Sequence, residues 1–135
     1  MNQTNNQRYS NKKKEEVVVS LPEIFLNIKK DPELFNETAK KCAEAILKTK
    51  KTQIRKFYDE LLSLNQRAKT QNWEDVLPFV KMLNAKVAYA RARNVINEEF
   101  VRMISSCVAQ VKEKKDLEIF KLFFEAVLGF HKGGK

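Results

Sequence analysis

Glycine is scarce in this chain and is confined to its end. The sequence contains three glycines, at positions 129, 133 and 134. Dinucleotide-binding G-x-G-x-x-G loops and Walker-type phosphate loops both need glycines where a strand meets a helix, so neither loop is present. The chain also has a single histidine, His131, with no cysteine at a zinc-ligand spacing. The sequence therefore predicts no metal site and no cofactor.

Cysteine is equally scarce. Cys42 and Cys107 form no C-x-x-C motif, and both occupy apolar positions of predicted helices, which is typical of small buried core residues. Nothing in the pattern pairs either thiol with His131 as a nucleophile. The acidic pair Glu98–Glu99 is explained by the positive end of a helix dipole. We therefore expect no catalytic residues and no enzymatic activity.

Positive charge is in excess. The sequence has 26 lysines and arginines against 17 acidic residues, a formal net charge of +9. This balance favours an anionic partner, either nucleic acid or an anionic membrane surface; a soluble protein with solvated lysines is the alternative. No secretory or membrane-spanning stretch is visible, so the sequence predicts a cytoplasmic protein without a membrane partner.

The hydrophobic pattern is helical throughout. No strand-like alternation and no hairpin dipeptide occurs, whereas every segment after Asp31 repeats apolar residues at helical spacing. The prediction is an all-α fold, a single helical bundle domain of about five helices over residues 17–135, preceded by a disordered polar arm over residues 1–16.

Start signals and apolar stripes place the individual helices. Ser20 is expected to cap a short helix containing Ile24, Phe25 and Ile28, and Asp31-Pro32-Glu33 to begin the next one. A second long helix is expected from near Thr52, a third from Pro78 to Arg93, with Asn94 or Asn97 before a fourth, and Asp116 as the cap of the last. The predicted inward residues are Phe35, Ala39, Cys42 and Ile46; Ile54, Phe57, Tyr58, Leu61 and Ala68; Phe79, Val80, Leu83, Val87 and Ala90; and Phe100, Ile104, Cys107 and Val111.

The last helix is apolar over most of its circumference. One stripe carries Leu117, Phe120, Phe124, Val127 and His131, and a second carries Ile119, Phe123, Ala126 and Phe130. Such a helix either lies at the centre of a bundle, or it packs one side against the core and the other side against a partner. We therefore expect the free protein to self-associate, as a dimer, through this helix.

Cations concentrate in KTKKTQIRK, residues 48–56, around the start of a predicted helix. The helix dipole would favour acids there, so clustered lysines and arginines suit a phosphate-binding surface. The alternative is a solvated lysine loop. Further on, Met82, Lys86, Tyr89 and Arg93 fall on one helical strip. This strip suits a nucleic-acid backbone with one stacking platform, unless Tyr89 seals the core edge and the two cations extend into solvent.

Three stretches together resemble a known family. TQIRKFYDEL at 52–61, MLNAKVAYARAR at 82–93 and FFEAVLGFHKGGK at 123–135 resemble the small helical subunit of type III-A CRISPR effector complexes, the Csm complexes. The N-terminal arm has no such pattern. Members of that family often carry a glycine where Ala92 stands here, and extra aromatic residues between Lys132 and Gly133.

The resemblance implies a non-catalytic subunit that stacks in several copies along the CRISPR RNA and target RNA, with other Csm subunits as partners. Carried over by position, the RNA-contact candidates are Gln53, Arg55, Lys86 and Arg93; Lys51 and Lys56 are added from the local charge. Contact with the backbone, without base readout, is expected. A purely structural protein–protein module and a basic DNA-binding regulator remain as alternatives, although no helix begins with clustered Asn, Gln and Arg.

Overall fold

A computed structural model describes residues 19–132 of the chain. The predicted arm over residues 1–16 lies outside the described residues. Within 19–132 the chain forms a π-helical turn and α-helices, and no strand occurs there. The elements are the π turn (Leu34–Thr38), α1 (Ala39–Ala45), α2 (Lys51–Ala68), α3 (Trp73–Lys81), α4 (Leu83–Ala92), α5 (Glu98–Gln110) and α6 (Lys114–Phe130). The π turn runs directly into α1, and only Met82 separates α3 from α4. If each of these two pairs is counted as one helical segment, the chain has five, and the prediction of an all-α bundle of about five helices is confirmed.

Helix α6 lies at the centre of the bundle, packed against α1, α2 and the π turn. Its first predicted stripe, from Leu117 to His131, is buried at every position. Phe120 and Phe124 extend an aromatic cluster through Phe100 of α5 to Phe57 of α2, with ring centroids 5.3–6.4 Å apart. Each such ring contributes about 1.5–3 kcal/mol by burial, so α6 is a main stabiliser of the fold.

The second stripe of α6 is largely covered by the chain itself. Phe123 is fully buried, and Ile119, Ala126 and Phe130 are half-buried against the core. The start of α6 differs from the prediction, because Glu113 is the N-cap and Asp116 lies inside the first turn. Asp116 Oδ2 accepts from the backbone N–H groups of Glu113 and Lys112 at 3.0 and 2.9 Å, so it secures the helix start from within.

The predicted short helix after Ser20 is wrong. Residues 19–30 contain no helix, and the side chain of Gln110 supplies the hydrogen bonds that a helix would have made. Gln110 Nε2 donates to the Ile24 carbonyl at 2.8 Å, and its Oε1 accepts from the Leu26 N–H at 2.9 Å. The amide thus pairs with this segment as a neighbouring strand would, and both Ile24 and Leu26 are buried.

The inward position of Phe35 is also a wrong prediction. Thr38 N–H donates to the Glu33 carbonyl, five residues back, at 3.1 Å, which makes the turn wider than an α-helical one. The extra residue places Leu34, rather than Phe35, on the buried stripe with Ala39. Leu34 is fully buried and Phe35 is 36% exposed.

The third predicted helix begins earlier than expected and is interrupted at Met82. Helix α3 begins at Trp73 and contains Pro78 internally. Phe79, which was predicted to face inward, is exposed, because Val80 rather than Phe79 lies on the buried stripe of this helix. The Arg67 guanidinium carbon lies 4.7 Å from the centroid of the Phe79 ring. The end is as predicted, since Asn94 adopts a left-handed φ of 62° and the Asn97 side chain caps α5 by accepting from Phe100 N–H.

Candidate nucleic-acid interface

A groove of about 400 Å³ lies between α2 and α4. Six of the side chains on its walls each directly precede a core residue in the sequence. On α2, Gln53, Lys56 and Glu60 precede the buried Ile54, Phe57 and Leu61; Met82, just before α4, and Lys86 and Tyr89 on α4 precede the buried Leu83, Val87 and Ala90. The same 3.6-residue repeat that buries one stripe of each helix therefore aligns the neighbouring stripe along the groove.

The predicted strip on α4 is confirmed as one surface, because Met82, Lys86, Tyr89 and Arg93 all line this groove. Tyr89 is 66% exposed, so the alternative in which it seals the core edge is wrong. The guanidinium carbon of Arg93 lies 5.5 Å from the centre of the Tyr89 ring, within cation–π range.

An ion pair crosses the groove. Lys86 Nζ lies 2.8 Å from Glu60 Oε2, and the two side chains are 42% and 40% exposed. A pair this open to water is worth about 0.2–1 kcal/mol. An anion that enters the groove can therefore compete for Lys86 with little loss of folding stability. Glu60 was not among the predicted site residues, although it follows Lys56 at the i,i+4 spacing that would have placed it there.

The structure divides the six predicted RNA-contact residues into two groups. Gln53, Lys56, Lys86 and Arg93 line the groove. Lys51 and Arg55 lie a helical turn apart on another face of α2 and do not line it. Lys51 lies beside the end of α6.

His131, at the C-terminal end of α6, ties that end to the loop before α2. It is buried, and its Nε2 lies 3.3 Å from the Ile46 carbonyl. Burial lowers the pKa of His131, the contact with the Ile46 carbonyl opposes this shift, and the positive charge of Lys51 adds to it. The charge of Lys51 therefore acts on the buried ring, and Lys51 does not line the groove.

The remaining cations of residues 48–56 lie in a second cleft of about 600 Å³, which contains Lys48 and Lys50. Asn97, which lines this cleft, is bonded to the buried Thr49: Thr49 Oγ1 donates to Asn97 Oδ1 and accepts from the Asn97 N–H, both at 2.9 Å. Glu98 and Glu99 also line the cleft. The cluster that looked continuous in sequence is thus split over three surfaces, and the second cleft is electrostatically mixed.

The buried thiols make poor nucleophiles. Burial raises the pKa of Cys42 to about 12, and burial together with the neighbouring Cys42 raises the pKa of Cys107. The prediction that both are core residues is confirmed. Over residues 19–132, no group of three or more His, Cys, Asp or Glu side chains is arranged to hold a metal ion, and none of the helices described there is long and apolar enough to cross a membrane.

The fold and the groove define a small, basic, all-α protein with a cation-lined surface suited to an anionic polymer. A family model described as Csm2 Type III-A matches residues 29–135, and the chain belongs to this family of small Csm subunits of type III-A CRISPR complexes. No curated protein and no solved structure matches the chain. The family match confirms the resemblance noted from residue 52 onward and extends it to the π turn and α1. The protein is thus a type III-A CRISPR effector subunit that associates with other Csm subunits.

Proposed function

We propose that this protein is a non-catalytic subunit whose copies stack along the CRISPR RNA and its target RNA in the cytoplasm, and that the groove between α2 and α4 binds the sugar-phosphate backbone. The observation that carries the proposal is the convergence of Gln53, Lys56, Lys86 and Arg93 on one groove. These residues come from two separate stretches of sequence, and only the packing of the helices brings them together.

The chemistry of the four side chains suits phosphate. The Lys56 and Lys86 ammonium groups act as point charges, the planar Arg93 guanidinium can donate two parallel hydrogen bonds, and the Gln53 amide is a neutral donor. None of these four groups is buried, so none of them needs a hydrogen bond from one particular base edge to replace its contact with water. Backbone contacts of this kind position a protein on RNA without reading sequence.

Stacking of copies requires a contact between two different faces of the protein, since head-to-tail assembly is heterologous. Large apolar side chains exposed away from the groove, Ile28, Phe35 and Leu47, are available for such contacts. We also propose that the free protein self-associates. Sedimentation velocity over a concentration series tests this, and a monomer at the highest concentrations would contradict it.

Two double variants test the RNA-binding face. Lys56→Ala with Arg93→Ala removes one lysine and one arginine from the groove. Lys51→Ala with Arg55→Ala removes the same charges from the other face of α2 and is the matched control. Binding of unrelated single-stranded RNAs of equal length is measured by fluorescence anisotropy over a salt series, with circular dichroism to check helicity.

We expect the groove variant to bind all of these RNAs more weakly and to lower the slope of log K against log[salt] by about 1.4, because each lost phosphate contact accounts for about 0.7. The control variant should keep most of the parental slope. If the control variant loses the slope instead, RNA lies on the Lys51–Arg55 face. If both variants bind like the parent, the protein–protein module is favoured over RNA binding.

A further inference from the structure

We infer that Tyr89 is a stacking platform for an unpaired nucleobase of single-stranded RNA held in the groove. This inference rests on the proposed RNA-binding function and adds a base contact to it. The sequence left two interpretations of Tyr89 open, a stacking platform or a side chain that seals the core edge, and the expected RNA contact was with the backbone. The exposure of Tyr89 excludes the second interpretation.

Tyr89 is unusual among the large apolar side chains at the surface. At 66% it is the most exposed of those in residues 19–132, and it projects from a helix whose neighbouring positions 87 and 90 are buried. The exposed Met82 lines the same groove. Exposed large apolar groups with cations beside them are characteristic of a binding surface.

The charges around Tyr89 favour RNA as the occupant. Lys86 precedes Tyr89 by three residues and Arg93 follows it by four, so the two cations are about 10 Å apart along the helix axis with the ring between them. Phosphates bound at these cations would hold a nucleotide over the ring. The groove volume of about 400 Å³ lies within the range of about 300–1,000 Å³ typical of sites for small ligands.

Stacking is compatible with binding that ignores sequence, because every base has a π face. Single-stranded RNA is generally recognised by unpaired bases that stack on aromatic or arginine side chains. Arg93, with its guanidinium carbon 5.5 Å from the ring centre, provides a second planar group next to the first. A base can therefore stack on the ring beside the guanidinium without any hydrogen bond to its edges.

The test compares two RNAs of the same length and phosphate count. One carries 2-aminopurine, whose fluorescence is quenched by stacking, and the other carries abasic sites at the same positions. The proteins are the parent, Tyr89→Ala, Tyr89→Phe and Lys56→Ala. Phe79→Ala serves as the control for loss of a surface aromatic, since Phe79 is 43% exposed and does not line the groove. Because the Tyr89 side chain is exposed, thermal unfolding of its variants should match that of the parent.

We expect Tyr89→Ala to bind the 2-aminopurine RNA at least about fivefold more weakly, the lower end of the effect of removing one stacking aromatic, and to abolish quenching. Tyr89→Phe should behave like the parent. On abasic RNA, Tyr89→Ala should bind like the parent, whereas Lys56→Ala should weaken binding to both RNAs alike.

If Tyr89→Ala weakens binding to both RNAs equally, or weakens binding to neither, the stacking inference is overturned. The groove would then remain a site for the RNA backbone alone. If Tyr89→Ala leaves RNA binding unchanged but abolishes copurification with neighbouring Csm subunits, Tyr89 contacts protein and the inference is also wrong. A failure of the proposed RNA-binding function would look different from a failure of the stacking inference, because Lys56→Ala would then have no effect on binding to either RNA.

Discussion

Replacing Glu60 by glutamine should strengthen RNA binding, whereas truncating a residue that contacts RNA should weaken it. Glu60 is the carboxylate on the walls of the groove, and its Oε2 lies 2.8 Å from Lys86 Nζ. Glutamine keeps the size of the side chain and removes the charge. Lys86 is then released to bind phosphate, and the repulsion between Glu60 and the RNA backbone disappears.

The magnitude of the effect follows from the geometry. A phosphate at hydrogen-bonding distance from Lys86 would lie about 5 Å from the Glu60 carboxylate, and the repulsion of two unit charges at this distance in water is about 0.8 kcal/mol. Release of Lys86 from an exposed ion pair adds about 0.2–1 kcal/mol. We therefore expect Glu60→Gln to bind single-stranded RNA about five- to twentyfold more tightly at low salt, with a loss of folding stability of at most about 1 kcal/mol.

Fluorescence anisotropy over a salt series measures this effect. The advantage of Glu60→Gln should shrink as salt increases, because exposed charges are screened over about 10 Å at 0.1 M and about 3 Å at 1 M ionic strength. Glu125→Gln is the matched control. It changes the net charge equally, and Glu125 is an exposed carboxylate on α6 that pairs with Lys121 at 3.7 Å. If the two variants gain the same RNA affinity, the effect comes from net charge alone. If Glu60→Gln binds RNA no better than the parent, Lys86 does not contact RNA.

The core of the bundle could be predicted from the sequence because helical periodicity is local. Four of the five predicted inward residues of α2 are buried, and Tyr58 is half-buried. The predicted stripe of α5 and the first stripe of α6 are buried at every position. Burial here follows from spacing alone, since a residue that recurs every three or four positions must share a face with its predecessor.

The errors arose where a distant or unusual hydrogen bond decides the local structure. Residues 24–26 are held by Gln110, which is more than 80 positions away in sequence, and no pattern within the segment reveals that partner. The π turn is likewise fixed by side chains: Thr38 Oγ1 donates to Asp31 Oδ2 at 2.6 Å, and Asp31 Oδ1 accepts from the Glu33 N–H. Asp31 was predicted as a helix cap, and it instead closes the wider turn that precedes α1.

The candidate site was predictable only in part, for a geometric reason. Helical spacing correctly placed Lys86, Tyr89 and Arg93 on one strip, because all three belong to one helix. Whether that strip faces Lys56 depends on how α2 and α4 pack, which spacing does not encode. The cluster 48–56 misled for the same reason, because adjacent positions on a helix point about 100° apart and the structure sends them to different surfaces.

Two further predictions concern stability. Because burial lowers the pKa of His131 below its ordinary value of 6.5, the unfolded chain takes up a proton before the folded one does, and the stabilisation present above pH 6.5 should be lost as the pH falls through the folded pKa. Urea unfolding should therefore show a smaller pH dependence between pH 7 and pH 5 for His131→Gln than for the parent; an unchanged dependence would exclude His131 as its source. The last prediction tests the π turn. Leu34 is fully buried and Phe35 is 36% exposed, so Leu34→Ala should lower the free energy of unfolding by about 2–5 kcal/mol, whereas Phe35→Ala should change it by about 1 kcal/mol or less. An α-helical turn would place Phe35 on the Ala39 stripe and reverse this order, so a larger loss for Phe35→Ala in the same urea titration would show that the turn is not π-helical in solution.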